Sequence, residues 1–334
     1  MTGSGTPEDP YVIYDVDDLQ AMENDLSAYY ELANDIDASA TVGWNAGAGF
    51  APVDDFEGSL DGKGYKVTDL FIDRSGSNVG LFDLIKSGAE VKNLGLEGCN
   101  ITGRNGGALA TRNDGAITSC YSTGSVTSSI NGGGLVALNY GTMEECYSTC
   151  TIISGDYAGG LVSYNPGTIT KSYATGSVTA TVWDAGGLVM RNAGTITNCY
   201  ARGAVVANYD AGGLVEDNTG SIDKCYSTGL VTGGSDIGGL VEMIFAPGTV
   251  TNSFWDTETS GTAISDGGTG KTTAQMKTES TFTDAGWDFD TIWTICAGVN
   301  GDYPCLVGVT PSCIYAPVIP FIINKAYALA REEL

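Results

Sequence analysis

The sequence predicts an all-β chain: a right-handed parallel β-helix, or β-solenoid, with rungs of 26–27 residues and capped ends. Three observations carry this prediction. Leu109, Leu135, Leu161, Leu188, Leu214 and Leu240 recur at intervals of 26, 26, 27, 26 and 26 residues, five of them within Gly-Gly-Leu-Val. Each interval holds two or three short runs rich in Val, Ile, Thr and Tyr, punctuated by Gly and Asn, with no apolar stripe at helical spacing. Glycine supplies 48 of 334 residues and only 16% of residues are charged, a composition suited to many tight turns. So short a unit cannot bury its own apolar face. Parallel stacking at about 4.8 Å per rung lines Leu over Leu and Ile over Ile in one continuous core. Propeller blades are longer, about 40 residues or more, and leucine-rich repeats need a Leu-x-x-Leu-x-Leu signature that is missing.

An Asn-x-Gly turn follows the first four Gly-Gly-Leu-Val copies, at Asn139, Asn165, Asn192 and Asn218, and the looser copy Gly106 to Ala110, at Asn113. It is read as a corner whose Asn and Gly take the left-handed conformation, with Asn side chains bonding from rung to rung. A β-former pair such as Thr168-Ile169 follows, and then Cys120-Tyr121, Cys146-Tyr147, Ser172-Tyr173, Cys199-Tyr200, Cys225-Tyr226 and Ser253-Phe254. Adjacent strand residues face opposite ways, so one of these two ladders is inside and the other outside. Serine replaces cysteine at equivalent steps, which marks Cys120, Cys146, Cys199 and Cys225 as small buried thiols that stay reduced. Tyr121, Tyr147, Tyr173, Tyr200 and Tyr226 then form an outer stripe. Self-stacking that stabilises the sheet is its simpler use; a ligand face for sugar rings or another protein is the alternative.

With Gly-Gly-Leu-Val, Asn-x-Gly-Thr-Ile and Cys-Tyr-Ser-Thr-Gly-x-Val in register, the chain resembles the GLUG-motif repeat family of secreted bacterial and archaeal surface proteins. Gly5-Thr6-Pro7-Glu8-Asp9-Pro10-Tyr11, Leu60-Asp61-Gly62-Lys63-Gly64-Tyr65, Ser253-Phe254-Trp255-Asp256 and Gly267-Gly268-Thr269-Gly270-Lys271-Thr272 look like that family's flanks. The resemblance covers roughly residues 5 to 305. It implies a parallel β-helix at the cell surface, in adhesin-like or structural roles, and brings no catalytic residues.

Charge and composition exclude several functions. Forty acidic against 15 basic residues give a formal charge of −25, which disfavours nucleic acid as a partner. Residues 1 to 100 hold 19 acidic and 5 basic residues, so −14 of that charge sits in the first third. Histidine is absent, which removes Ser-His-Asp and Cys-His catalysis and every imidazole-ligated metal site. No run approaches the roughly 20 apolar residues of a membrane-spanning helix, and Met1 to Pro10 has no signal-peptide pattern.

Asp184, Asp210 and Asp236 stand 26 residues apart and would stack three carboxylates about 4.8 Å apart along one edge. Solvent and counterions offset the repulsion at an exposed corner by default; a structural calcium site at these three residues is the sharper alternative. The same acids, or Glu216 and Glu242, are also read as a glycosidase pair, against the simpler view that repetition alone gives every carboxylate a like neighbour. The stretch Ser265 to Thr272 fails as a phosphate-binding loop, because Ser265 stands where that motif needs glycine, and is read as a capping loop.

Nine cysteines cannot all pair within one chain. Cys296 and Cys305 flank a turn and are read as a local disulfide, leaving Cys99, Cys150 and Cys313 as candidates for bonds between chains. Helices are expected in Asp15 to Leu26 and from Thr272 to Met276, as parts of caps that block runaway stacking. The apolar stretch Ile314 to Ile323, broken by Pro317 and Pro320, is expected to cover the last rung or to enter a neighbouring chain. The chain thus divides into an N-terminal cap with irregular rungs (1–78), the GLUG-type solenoid (79–255), and a C-terminal cap with tail (256–334). The leading expectation is a non-catalytic extracellular structural protein that self-assembles into a sheath, surface layer or filament. A binding module gripping glycan or a surface protein through the tyrosine ladder is the alternative, and a polysaccharide-acting enzyme ranks third.

Overall fold

The computed structural model describes residues 1–311 and forms a parallel β-solenoid whose rungs present three faces. One face is a ten-stranded parallel sheet running from Tyr11–Ile13 to Thr249–Thr251, with Thr142–Glu144, Thr168–Thr170 and Thr195–Thr197 in its middle. A second, seven-stranded face runs from Phe82–Ile85 to Val241–Ile244 and carries the Val-x-x-Asn segments. The third face holds the tyrosines, in broken strands such as Tyr147–Ser148, Thr151–Ser154 and Tyr157–Gly159. Early rungs are longer: Tyr30, Leu60 and Val91 are rung partners, whereas Ile117, Met143 and Ile169 repeat at 26 residues.

Stacking in register turns each repeated position into a column. The amides of Leu109, Leu135, Leu161, Leu188 and Leu214 each donate to the carbonyl of the next leucine, at 2.8–3.0 Å, and all six leucine side chains are fully buried. Along the asparagine column the Nδ2 of Asn113, Asn139, Asn165 and Asn192 donates to the next Oδ1 at 2.8 Å. These amides are also fully buried, so the ladder satisfies polar groups that the apolar core would otherwise strand.

The corner geometry differs from the sequence reading. Positive φ belongs to the residue before the Cys/Ser column: Ser119, Glu145, Lys171, Asn198, Lys224 and Asn252, at 45–56°. The Asn-x-Gly glycines serve close approach instead. A Cβ on Gly141, Gly167, Gly194 or Gly220 would lie 1.9–2.2 Å from the carbonyl oxygen of the equivalent glycine one rung earlier.

Cys120, Cys146, Cys199 and Cys225 are free, buried, and lie in the core on the side opposite the tyrosines. Burial above all, with a smaller push from the Asp61 charge, moves the Cys120 thiol up to about 12. Three other cysteine expectations need correction. Cys99 and Cys150 are at most 1% exposed, so they cannot reach another chain. They share one column with Gly124 between them, which puts their backbones about 10 Å apart, too far for a bridge. Cys296 is a free thiol while Cys305 is disulfide-bonded, so these two are not partners. Cys313 and the tail from Ile314 to Ile323 lie outside the described residues.

At both ends the chain folds part of itself over the terminal strands, although Thr249–Thr251 remains the last strand of its sheet among the described residues. The N-terminal helix is short, Val16–Gln20, capped by the Asp15 carboxylate accepting from the Asp18 amide at 2.9 Å, and Thr2 bridges antiparallel to Val12 on the first strand. At the other end Gly267 bridges antiparallel to Val241, and Asp266 accepts from the Ile244 amide at 2.7 Å. The Ser265 to Thr272 loop is thus a cap; its Thr269–Lys271 strand adds parallel to Phe254–Asp256. Thr272 and Gln275 then form a reciprocal capping box at the predicted helix, Thr273–Met276.

From there residues 272–310 run back along the tyrosine face, which the sequence reading did not foresee. Asp256 anchors the reversal. Fully buried, it accepts from Tyr303 Oη at 2.7 Å, Thr273 Oγ1 at 3.0 Å and the amides of Glu258 and Thr259.

Two outcomes are expected. Leu161→Asp should abolish cooperative folding, because an unpaired carboxylate in this column costs several kcal/mol; wild-type-like melting by circular dichroism would contradict the column. Among the described cysteines, brief alkylation of the native protein should label Cys296 and leave Cys99, Cys120, Cys146, Cys150, Cys199 and Cys225 unmodified by peptide mapping.

Candidate functional site

The tyrosines stack as a ladder, Tyr121 to Tyr226, with ring centroids 4.7–5.1 Å apart and planes within 9°. Self-stacking therefore holds, but the outer stripe is not a free ligand face. Tyr173, Tyr200 and Tyr226 are at most 3% exposed, covered by Phe282, Trp287, Trp293 and Tyr303. Tyr226 donates to the Pro304 carbonyl at 2.6 Å, Tyr200 shares a hydrogen bond with Thr310 at 3.0 Å, and Arg202 stacks 4.7 Å above the Tyr303 ring. Only Tyr121 and Tyr147 keep partial exposure, and Tyr121 is committed to Glu97 at 2.8 Å.

A different surface gathers reactive groups. Where the third face turns into the second, two columns run side by side. The first reads Asn105, Asn131, Tyr157, Asp184, Asp210 and Asp236; the second reads Thr111, Ala137, Ser163, Met190, Glu216 and Glu242. Between them lies a groove of about 410 Å³ lined by Tyr157, Tyr164, Asp184, Arg191, Glu216, Asp217 and Phe245, among others. Trp183 and Tyr209, which precede Asp184 and Asp210 in the chain, are exposed with rings 5.4 Å apart. Phe245 is 50% exposed at the opposite wall.

The aspartate column solves its own repulsion differently from the expectation of solvent alone. Asp184 Oδ1 accepts from the Asp210 amide at 3.2 Å, and Asp210 Oδ1 accepts from the Asp236 amide at 3.0 Å. The expected metal set is corrected as well. The carboxylates that converge are Asp184, Asp210 and Glu216, each with an oxygen within 4.8 Å of the others; Asp236 is not in this group.

Glu216 is only 7% exposed and, among the described residues, finds no hydrogen-bond donor for its carboxylate. Burial first, then the charges of Asp184, Asp217, Glu242 and Asp210, push it up to about 9. Glu242, one rung on, is pushed up to about 7 by burial, then Asp210 and Asp236. Asp217 pairs with Arg191 through Oδ2 at 3.2 Å, while its buried Oδ1 has no partner among the described residues. An acid held up by burial beside other carboxylates can donate a proton; deprotonated, the same group is an oxygen ligand. Glu216, expected to pair with Glu242, instead faces Asp184 and Asp210 across the groove. The available signal was the Asp-x5-Glu spacing of Asp210 and Glu216, two strands joined by the Gly-Gly-Leu turn.

No protein-family model matches the chain. Over 142 residues it is 43% identical to halomucin of Haloquadratum walsbyi, which covers 38% of this chain and 2% of halomucin. Over 126 residues it is 37% identical to a provisionally named Gly-rich membrane protein of Evansella cellulosilytica, covering 34% of this chain and 14% of that protein. Among solved structures, a provisionally assigned immunoglobulin A1 protease from Bacteroides ovatus superposes with a TM-score of 0.64 at 20% identity, covering 91% of this chain and 94% of that one. A second structure, named IgA1 protease, gives 0.53 at 19% identity, covering 72% of this chain and 21% of that one. At these identities the superpositions show the fold. They also correct the expectation of a non-enzyme, since this solenoid occurs in chains carrying a protease name and the repeat by itself excludes no catalysis.

Glu216 gives a signed pH dependence. Its folded value lies above its ordinary 4.5, so the stability it contributes is complete below about pH 4.5 and is lost as pH rises toward about 9. Glu242 acts in the same direction. In chelator-containing buffer the melting temperature should fall from pH 5 to pH 9. Glu216→Gln should flatten that slope and melt a few degrees above wild type at the alkaline end; equal slopes by calorimetry would contradict the assignment.

Proposed function

We propose that this chain is a β-solenoid recognition module of the cell surface, of the kind its GLUG-like repeat implies, and that its ligand is a neutral glycan held in the acidic groove. The observation that carries this reading is the groove itself: carboxylates along its floor, with Tyr157, Tyr164 and Phe245 in its lining and Trp183 and Tyr209 exposed beside it. Carboxylates accept hydrogen bonds from sugar hydroxyls, and aromatic rings stack on the apolar faces of sugar rings. A charge of −25 steers the choice to uncharged polymers. The relative named as a membrane protein supports a surface or membrane-associated location. Short bridges cover part of the end strands, Thr2 on Val12 and Gly267 on Val241, and the groove is proposed as the working surface.

Cleavage of the bound glycan is the second reading, favoured by Glu216, whose raised value beside Asp184 matches the acid half of a glycosidase pair. Affinity electrophoresis through a panel of neutral and anionic polysaccharides tests the first, and reducing-end release from the retarding polymer tests the second. Retardation by a neutral polymer, weakened roughly tenfold or more in Trp183→Ala/Tyr209→Ala, is the expected result. Absence of retardation by any of them would overturn the glycan reading.

A further inference from the structure

We propose that Asp184, Asp210 and Glu216 form a divalent-cation site, and that its ion is calcium.

The two columns pair differently along the length of the groove. Across it, a residue of the first column lies beside the second-column residue 32 or 33 positions later, as Asn131 does with Ser163 and Asp184 with Glu216. At Asn131 and Ser163 this pair is a hydrogen bond, the Ser163 hydroxyl donating to Asn131 Oδ1 at 3.3 Å. The pair in the equivalent place two rungs on is Asp184 and Glu216, two acceptors with no donor between them. Asp210 supplies a third acceptor at the same point. Among the described residues, the nearest cation in the groove, Arg191, engages Asp217 rather than these three.

Glu216 is the observation that separates this place from an ordinary acidic patch. The aspartates have a reason to sit in a ladder, since one oxygen of each holds the amide of the next rung. Glu216 comes from the other wall, is more than nine-tenths buried, and has no protein donor among the described residues while its oxygen points within 4.8 Å of both aspartates. Its carboxylate oxygens open onto the groove and not into the core, and a single cation in the groove would partner all three acids at once. Each aspartate still has Oδ2 free of any amide.

The donor set selects the ion. All three ligands are hard carboxylate oxygens, no histidine exists in the chain, and the buried thiols are on the core side of the rungs. Calcium accepts such ligands in irregular geometry and completes its shell with water from the open groove, whereas magnesium demands a near-ideal octahedron.

Calorimetric titration of the chelator-stripped chain with calcium chloride, without saccharide, tests the proposal. One ion per chain is expected, with a rise in melting temperature that magnesium reproduces only in part. Glu216→Gln and Asp210→Asn should each weaken binding roughly tenfold or more while keeping the wild-type circular dichroism spectrum, and Asp236→Asn should bind as wild type does. No heat and no thermal shift at about 10 mM calcium would overturn the site, as would an unchanged Glu216→Gln titration or an equal loss in Asp236→Asn. Because no glycan is present, failure here leaves the glycan reading standing, and the reverse holds.

Discussion

Every residue in the solenoid must tolerate a near-copy of itself about 4.8 Å away on either side. That single constraint sorts the columns. Leucine tolerates leucine through dispersion and shared burial. Asparagine does so because its amide is both donor and acceptor, which is why Asn113 through Asn218 can run through the interior with every interior amide paired. Tyrosine does so by offset stacking, and glycine wherever a neighbouring carbonyl leaves no room for a Cβ. A carboxylate has no such self-complementarity. Aspartate is kept in a column here only because each side chain takes the backbone amide of the next rung.

The tyrosine ladder shows how a column becomes an anchor. Stacked rings present a flat apolar strip that water solvates poorly, and the chain covers it with its own residues 272–310. The cover is pinned at polar points: Asp256 at the reversal, Arg202 against Asn300 and Tyr303, and the Tyr226 hydroxyl on Pro304. Apolar area supplies the stabilisation, and the hydrogen bonds fix the register of a segment that has no repeat to align it.

This division decides what the sequence could disclose. Period, parallel stacking, the leucine and asparagine columns and the inward-facing thiols all follow from self-similarity, so a single chain sufficed to read them. The cover could not be read the same way, because Phe282, Trp287, Trp293 and Tyr303 stand at irregular intervals and meet tyrosines far earlier in the chain. The Cys296 and Cys305 reading failed for a related reason: nearness in sequence says nothing of where two side chains point. The left-handed corner went unseen at Ser119, Glu145, Lys171 and Lys224 because its sequence is irregular, the strain being absorbed by the rungs on either side.

The candidate site lies where two columns change character together. Ala137, Ser163 and Met190 make the second column neutral until Glu216, and Asn131 and Tyr157 make the first neutral until Asp184. A repeat alone would not place a buried glutamate opposite two aspartates, since burial first, and then each added carboxylate, raises the cost of ionising it, as the upward displacement of Glu216 and Glu242 records. Such a cost is offset by a proton, by a cation, or by the hydroxyl of a ligand or of groove water. The three cases make different demands on the same atoms. A proton neutralises one oxygen, a single hydroxyl reaches one or two, and one cation satisfies oxygens from both walls together. The convergence of Asp184, Asp210 and Glu216 from two different faces is therefore the feature that argues most directly for an ion.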